Sequence, residues 1–325
     1  MNAKIFFRLI ALALLGVSTA GLSARSLNAA ELRCLFRTGA IKMSPELRAG
    51  ILEDYPSGRL PSTNTCREVL IRGRIDVGDS AKFEQFLREN HPFLQTVYLW
   101  SPGGSVGEAI KIGLLIRKAS IMTQAPRSSS GRGQLDSGEL IANVGLSTPS
   151  PSALCRGKGC HCASACFLIW AAGVERDGSA LGLHRPSTVA PEFANLPPSQ
   201  AGMRYRQIIY DIDTYLAEME IPRRFIEMMV DTSSVDMRWL TRDEAASLEE
   251  VPSFYEWIRS TGCNPLSKLK SEEMGNLRDE LKFGQRSDQN KGRVLDLTAK
   301  DMEYWLCRFQ KTNNARDSFH LPPSP

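Results

Sequence analysis

The sequence predicts an α/β fold, because strand-like and helix-like segments alternate along the central part of the chain. Residues 96–100 (TVYLW) are apolar and β-prone, and they run directly into the turn Ser-Pro-Gly-Gly-Ser at 101–105. Beyond the turn, apolar residues recur at three- and four-residue steps as far as 118, which predicts an amphipathic helix. A strand, a glycine turn and a helix in this order make one α/β unit.

The segments on either side of this unit continue the alternation of strands and helices. We expect a strand and turn at 69–75, a helix at 80–90 capped by Asp79, a buried helix in the apolar run that Gly173 closes, a short strand at 181–184, and helices at 200–219 and 222–230.

The central domain, predicted over 68–250, is flanked by less regular segments. Residues 31–67 contain proline and glycine and predict an irregular lead-in, and residues 251–325 predict a partly helical extension, with helices near 271–281 and 299–309 and a disordered proline-rich tail. Within the domain, 15 of the 33 residues at 127–159 are Ser, Gly or Pro, which predicts a flexible insertion.

Residues 1–30 have the layout of a secretory signal peptide. Two basic residues precede an apolar run at 9–17, which is shorter than the roughly 20 residues that a membrane-spanning helix needs. We expect cleavage near Ala24 or Ala30 and a periplasmic or secreted protein, with an uncleaved membrane anchor as the alternative. Removing this segment lowers the formal net charge from +4 to +1, which argues against nucleic acid as a partner.

All eight cysteines follow the predicted signal peptide, and an even number of cysteines in an exported chain favours disulfide bonds. The connectivity cannot be deduced from the sequence, but a disulfide Cys34–Cys66 would stabilise the N-terminal flanking segment, and a disulfide Cys263–Cys307 would stabilise the C-terminal one. A pair Cys162–Cys166 would brace the turn between them and suggests a redox-sensitive site. The cluster that these two form with Cys155, Cys160 and His161 also permits zinc, but its spacing matches no standard zinc site.

Three segments carry the residues of an acyl-transfer site. Ser164 stands at the predicted start of the buried helix, where a serine near a base can serve as a nucleophile. His184, at the end of a short strand, is the natural base. The N–H of Ala165 and an N–H of the turn at Gly103 and Gly104 would stabilise an oxyanion. Ser164 as a simple helix cap, and His184 as a hydrogen-bonded strand end, are the structural alternatives.

The turn SPGGSV, the Ala-Ser-Ala helix start, the strand end LHRP and the motif WLTRDEA at 239–245 together resemble the proteolytic subunit of the Clp proteases and, more closely, its exported bacterial relatives. The resemblance covers about 68–250. It implies a ClpP/crotonase fold, a spiral of ββα units, with Ser164 as nucleophile, His184 as base, and Gly104 and Ala165 as oxyanion donors. It also implies homo-oligomers, and no cofactor or metal.

The third member of the catalytic triad departs from the family pattern. The family places an Asp three residues before the Leu of the closing motif, and here that position is Met237. Asp236 is the first candidate, Asp231 is the next, and a Ser–His dyad or a water-assisted histidine is the remaining alternative.

We therefore expect an exported serine peptidase that cleaves short or unstructured peptides through an acyl-enzyme, without an ATPase partner. The alternative is a catalytically silent relative that uses the fold as a binding or assembly module, which the Met237 mismatch favours. A crotonase-like acyl-CoA enzyme would share the oxyanion geometry, but export away from coenzyme A argues against it.

Overall fold

A computed structural model of the chain describes residues 30–37, 64–127, 160–187, 193, 196–283 and 288–321. Most of the predicted signal peptide, the predicted insertion beyond Arg127 and the last residues of the proline-rich tail lie outside the described residues.

The described strands and helices alternate through the centre of the chain and give way to helices at its C-terminal end. The strands are β1 (Glu31–Arg37), β2 (Cys66–Arg72), β3 (Thr96–Trp100), β4 (Met122–Gln124), β5 (Cys162–Ala163), β6 (Arg176–Asp177), β7 (Leu181–Leu183) and β8 (Arg238–Trp239). The helices are α1 (Asp79–Asn90), α2 (Val106–Lys118), α3 (Ala165–Ala171), α4 (Pro198–Glu218), α5 (Arg223–Asp231), α6 (Arg242–Ala246), α7 (Pro252–Ser260), α8 (Lys268–Phe283) and α9 (Asp288–Ser318).

The strands form two sheets. The larger sheet has the order β1-β2-β3-β4-β6; β1 runs antiparallel to β2, and the pairs that follow are parallel. In the smaller sheet, β5 pairs with β7 in parallel, and β8 pairs with β7 in antiparallel. The mixed α/β architecture predicted from the sequence is confirmed.

The two sheets meet just beyond the end of β3. Ser101, which follows β3 directly, forms a parallel bridge with Cys162 of β5, and Ala163 N–H donates to the Ser101 carbonyl at 3.0 Å. Ser101 is fully buried. This junction brings the glycine turn of the larger sheet against the serine segment of the smaller one.

One continuous apolar core lies between the sheets and the helices. Helix α3 is buried along its whole length, and the rings of Phe167 and Trp170 stack at a centroid distance of 5.6 Å within it. Helix α2 packs against α3 through its apolar face, as the three- and four-residue spacing of that face predicts.

The flanking segments are more regular than the sequence suggested. The predicted irregular lead-in is wrong for Glu31–Arg37, because these residues form a strand that pairs with β2. The predicted disulfides Cys34–Cys66 and Cys263–Cys307 are present; the first joins β1 to β2, and the second joins the end of α7 to α9. Helix α9 also extends well beyond the predicted 299–309.

The N-terminal end of α1 is held by a side chain from another helix. Asp79 does not cap α1 as predicted; it is the first helical residue, and its carboxylate accepts from the N–H groups of Asp76 and Ala30. The buried Glu108 of α2 instead accepts from the N–H groups of Gly78 and Ser80. A cap from a distant residue is invisible in the local pattern that predicts helix starts.

No helix in the described ranges has both the length and the apolar character needed to cross a membrane.

We predict that Glu108→Gln lowers the free energy of unfolding at pH 7 by about 1 kcal/mol, because two N–H groups lose a charged acceptor. Burial alone would raise the pKa of Glu108, but hydrogen bonds from Ser80 and the charge of Lys111 lower it below 4.5. The stabilisation is therefore present above about pH 4.5 and is lost as the pH falls through the folded-state pKa. Urea unfolding at several pH values measures the free energy of unfolding of both proteins as a function of pH.

The matched control is Glu89→Gln, which changes an exposed glutamate on the neighbouring helix. It should leave the stability within about 0.5 kcal/mol of the unaltered protein. If the free energies of unfolding of Glu108→Gln and of the unaltered protein differed by the same amount from pH 7 to pH 3, the role given to the Glu108 carboxylate would be contradicted.

Candidate functional site

Ser164 occupies a sharp turn between strand β5 and helix α3. Its backbone has φ 57° and ψ −127°, a conformation that L-residues rarely adopt and that costs about 1–3 kcal/mol. The turn is held by the Ser164 N–H, which donates to the Gly182 carbonyl of β7 at 2.9 Å. In α/β-hydrolases, a serine in a strained turn between a strand and a helix is exposed as the nucleophile.

The hydroxyl group of Ser164 makes no hydrogen bond within the described ranges of the chain. It makes no capping hydrogen bond to α3, although Ser164 is the residue that precedes the helix. No described residue hydrogen-bonds to it, and the side chain is partly exposed. The alternative in which this hydroxyl serves as a helix cap is therefore wrong.

The glycine turn lies directly against Ser164. A Cβ added at Gly103, where φ is +97°, would lie 2.6 Å from Ser164 Cβ and 2.9 Å from the Ala165 nitrogen, so only glycine fits. Gly103 N–H donates to Ser101 Oγ at 3.0 Å. On its other side, the Gly103 carbonyl accepts from Ile75 N–H at 2.9 Å. The turn is thus fixed between Ile75 and Ser164.

Two backbone N–H groups beside Ser164 are unused. Gly104 forms a parallel bridge with Ile75, in which its neighbours make the hydrogen bonds and its own N–H is directed away from Ile75. Ala165 is the first residue of α3, so its N–H has no partner within the helix. Neither N–H donates a hydrogen bond to any described residue, as oxyanion donors require.

His184 follows strand β7 at the edge where Ser164 follows β5. Because β5 and β7 are parallel, with Ala163 opposite Gly182, both residues leave neighbouring strands at the same end, where strands lie about 4.8 Å apart. No hydrogen bond joins the Ser164 hydroxyl to the His184 ring in this structure.

The tautomer of His184 is set by the backbone. Its Nδ1 lies 2.8 Å from the Arg185 carbonyl oxygen, which can only accept, so Nδ1 carries the proton. In the neutral ring, Nε2 then holds a free lone pair. The Arg185 N–H donates to the Thr232 carbonyl at 3.0 Å, which fixes the position of that residue.

The aspartates predicted as the third member of the triad make no hydrogen bond to His184. Asp236 is exposed, and its carboxylate makes no hydrogen bond to the His184 ring. The exposed Asp231 makes none either. The printed pairing of β7 with β8 ends at Leu183 and Arg238, and beyond it the Arg185 N–H donates to the Thr232 carbonyl.

The carbonyl end of α3 is held by four side chains from other elements, which the sequence analysis missed. Tyr215 donates to the Leu168 carbonyl and Thr123 to that of Trp170. Arg117 donates to the carbonyls of 171 and 172, and the buried Arg176 donates to those of 173, 219 and 248. No spacing pattern marks these residues, since they lie on four separate elements.

Arg176 is buried and still carries a positive charge. Burial, and then the neighbouring charge of Arg117, lowers the pKa of Arg176 to about 9. The guanidinium remains protonated at neutral pH, and cations are favoured at the carbonyl end of a helix. Together these bonds fix α3, and with it Ser164, from the end opposite the nucleophile.

A disulfide brackets Ser164. Cys162 of β5 is bonded to Cys166 of α3, with a Cα–Cα distance of 5.2 Å, and both residues are fully buried. Cys160 is disulfide-bonded as well. These sulfurs are therefore not thiolates that could bind zinc, and the described residues contain no group of ligands suited to a metal ion.

Comparisons with known proteins add little to this geometry. No protein-family model matches the chain, and no curated protein matches it. Among solved structures, a mutant of ClpP1 from Listeria monocytogenes is similar over 57% of this chain and 89% of that chain, at 19% identity and a TM-score of 0.37. That likeness is too weak to carry an argument about the site.

We predict that Gly103→Ala destabilises the protein by about 2–4 kcal/mol, because the new Cβ would overlap the Ser164 segment and require an unfavourable positive φ. Thermal or urea unfolding measures the change. Gly107→Ala, four residues along the chain and with no atom within 4 Å of the added Cβ, is the control and should be neutral or slightly stabilising. Equal changes in stability for the two substitutions would refute the close approach of Gly103 to Ser164.

We predict that Arg176→Met lowers the free energy of unfolding by about 2–4 kcal/mol, because three buried carbonyls lose their charged donor. Arg223→Met removes a solvent-exposed arginine whose ion pair with Asp213 lies at the surface, and it should change stability by about 0.5 kcal/mol or less. Urea unfolding of both variants tests this, and a neutral Arg176→Met would contradict the anchoring of α3.

Proposed function

We propose that this protein is an exported serine hydrolase that cleaves short or unstructured peptides through an acyl-enzyme. The observation that carries the proposal is Ser164. Its backbone is strained, no described residue hydrogen-bonds to its hydroxyl, and the adjoining turn accepts no residue larger than glycine at position 103. A serine kept in this state without a structural use is best explained by catalysis.

The proposed reaction uses four groups. Ser164 Oγ attacks the peptide carbonyl and gives its proton to Nε2 of His184. The Gly104 and Ala165 N–H groups stabilise the oxyanion, and His184 then protonates the leaving amine, which yields the acyl-enzyme. Water, activated by the same histidine, attacks the ester, releases the acid and restores the Ser164 hydroxyl.

The orienting group for His184 is, in this proposal, the Arg185 carbonyl rather than a carboxylate. It holds Nδ1–H and so keeps Nε2 free as the base. A neutral carbonyl stabilises the imidazolium less than an aspartate does, and loss of the aspartate in a related site costs about 10⁴ in kcat. We therefore expect a slow enzyme, and Asp236 takes no part in it.

The disulfides support an oxidising compartment, which fits export. An exported enzyme would have no ATP-driven unfoldase beside it, so its substrates would be peptides that need no unfolding. The proposal includes assembly into homo-oligomers, because the sequence resembles that of Clp subunits.

A second proposal is a catalytically silent binding module of the same fold. Met237 favours it, because a methionine stands at the position of the closing motif for which the resemblance to Clp subunits implies an aspartate. The two proposals differ in whether the Ser164 hydroxyl reacts.

We predict that a fluorophosphonate probe labels the oxidised protein on Ser164 and that Ser164→Ala abolishes the labelling. His184→Ala should slow it by about 10³-fold or more, because the base is lost, and Asp236→Asn should leave the rate unchanged. Intact mass spectrometry over time measures the rates. Absence of labelling in the folded, oxidised protein would favour the binding module, and a large loss in Asp236→Asn would restore Asp236 as the third member.

A further inference from the structure

Helix α9 carries a line of exposed apolar side chains. Leu295 is 70% exposed and Leu306 is 62% exposed, and Met302, Phe309 and Ala299 are exposed as well. These positions follow one another at alternating steps of four and three residues, which is the spacing of the contact line in a coiled coil. We call Leu295, Ala299, Met302, Leu306 and Phe309 the α9 seam.

The α9 seam is not the side by which α9 packs within the molecule. The buried residues Leu297 and Tyr304 each lie two positions after a seam residue, about 200° around the helix. Tyr304 packs with Ile258 and Cys263 at the end of α7. The seam is therefore a second apolar side of α9, turned away from the side that the molecule itself covers.

Gly292 continues the seam by one further position and is open. It lies seven residues before Ala299, so it falls on the same line of the helix. A Cβ added at Gly292 would meet no atom within 4 Å. Glycine is the poorest helix former after proline, and no neighbour in the described part of the chain requires the missing side chain. The space above Gly292 suits a large side chain from outside the molecule.

The seam, extended to Gly292, is complementary to itself when two copies run antiparallel. An alignment that puts Ala299 opposite Met302 of a second copy also puts Leu295 opposite Leu306, and Gly292 opposite Phe309. Small residues then face large ones, and leucine faces leucine, so the packed volume stays even along the pair. A parallel pair would put phenylalanine against phenylalanine and glycine against glycine, which crowds one end and leaves a cavity at the other.

Neither edge of the seam opposes a second copy by its charge. On one edge Asp296 and Glu303 are matched by Arg293 and Lys300, and Asp296 is paired with Arg293 at 3.4 Å and with Lys300 at 2.9 Å. The other edge carries the uncharged side chains of Thr298 and Trp305. An apolar line between edges without net charge favours a copy of the same helix over a strongly charged partner.

We propose that the α9 seam is a dimer interface, in which α9 packs against α9 of a second copy in the antiparallel direction. The overlap runs from 292 to 309 and is about 27 Å long. This surface lies outside residues 68–250, which resemble Clp subunits, so the inference goes beyond the proposed function and is independent of the reactivity of Ser164. A single helix pair is a small interface, and we expect a dissociation constant in the micromolar range.

The first test uses glycine substitutions that act in opposite directions on the helix and on the dimer. Sedimentation velocity of the full-length oxidised protein should show dimers at about 100 μM. Gly292→Leu should weaken the dimer at least about tenfold, because the new side chain fills the space for Phe309, although it favours the helix. Gly275→Leu is the matched control: Gly275 is exposed on α8 and its added Cβ also meets no atom within 4 Å. It should leave the dimer unchanged.

Leu306→Glu provides a second variant, because it puts a charge into the seam of a side chain that is exposed in the monomer. It should abolish the dimer, whereas Leu269→Glu, at a leucine of α8 that is 78% exposed, should leave it unchanged. Equal effects of Gly292→Leu and Gly275→Leu, or dimers that persist in Leu306→Glu, would overturn the inference. A chain that stays monomeric at about 100 μM would also overturn it and leave the seam to a helix of another protein.

The second test measures the direction of the pair. No described cysteine is free, so Leu295→Cys and Leu306→Cys each introduce one reactive thiol. In the antiparallel dimer the two thiols of either variant alone are about 16 Å apart along the axis, whereas in a mixture of the variants they face each other. A bismaleimide shorter than that separation should therefore cross-link only the mixture. Cross-links within each variant alone, or none in the mixture, would overturn the antiparallel interface.

Discussion

The structure of the site depends on one close backbone contact, between the glycine turn that ends β3 and the Ser164 segment that ends β5. The bridge from Ser101 to Cys162 joins the two sheets at this point, and Gly103 lies so near Ser164 that no side chain fits between them. Because backbone atoms make the contact, an overlap there cannot be relieved by a change of side-chain rotamer. It brings the Gly103 backbone against Ser164 and the first residue of α3.

Contacts at the C-terminal end of α3 maintain the strained conformation of Ser164. A helix of seven residues is about 10 Å long and cannot keep its register by its own hydrogen bonds. Here Arg117, Arg176, Thr123 and Tyr215 occupy its terminal carbonyls, and the Cys162–Cys166 disulfide ties its first turn to β5. The apolar core around it then leaves α3 no alternative position.

His184 and Met237 are the reason why the proposed function keeps both a slow enzyme and a catalytically silent module of the same fold. The Arg185 carbonyl orients the imidazole but brings no charge. In the closing motif, Met237 stands at the position for which the resemblance to Clp subunits implies an aspartate.

The sequence by itself predicted the α/β class, the main strands and helices of the centre and the segments that carry the candidate site, because periodicity and turn residues are local signals. The number of cysteines favoured disulfides, but it did not determine which cysteines pair. The tertiary structure alone decided that no described residue hydrogen-bonds to the Ser164 hydroxyl, that the Arg185 carbonyl bonds to the His184 ring, and that Arg117 and Arg176 hold α3. It also revealed β1 in a segment that appeared irregular. Each of these depends on strand register or on contacts between distant residues, and a shift of one position, which no local pattern records, changes the face on which a side chain lies.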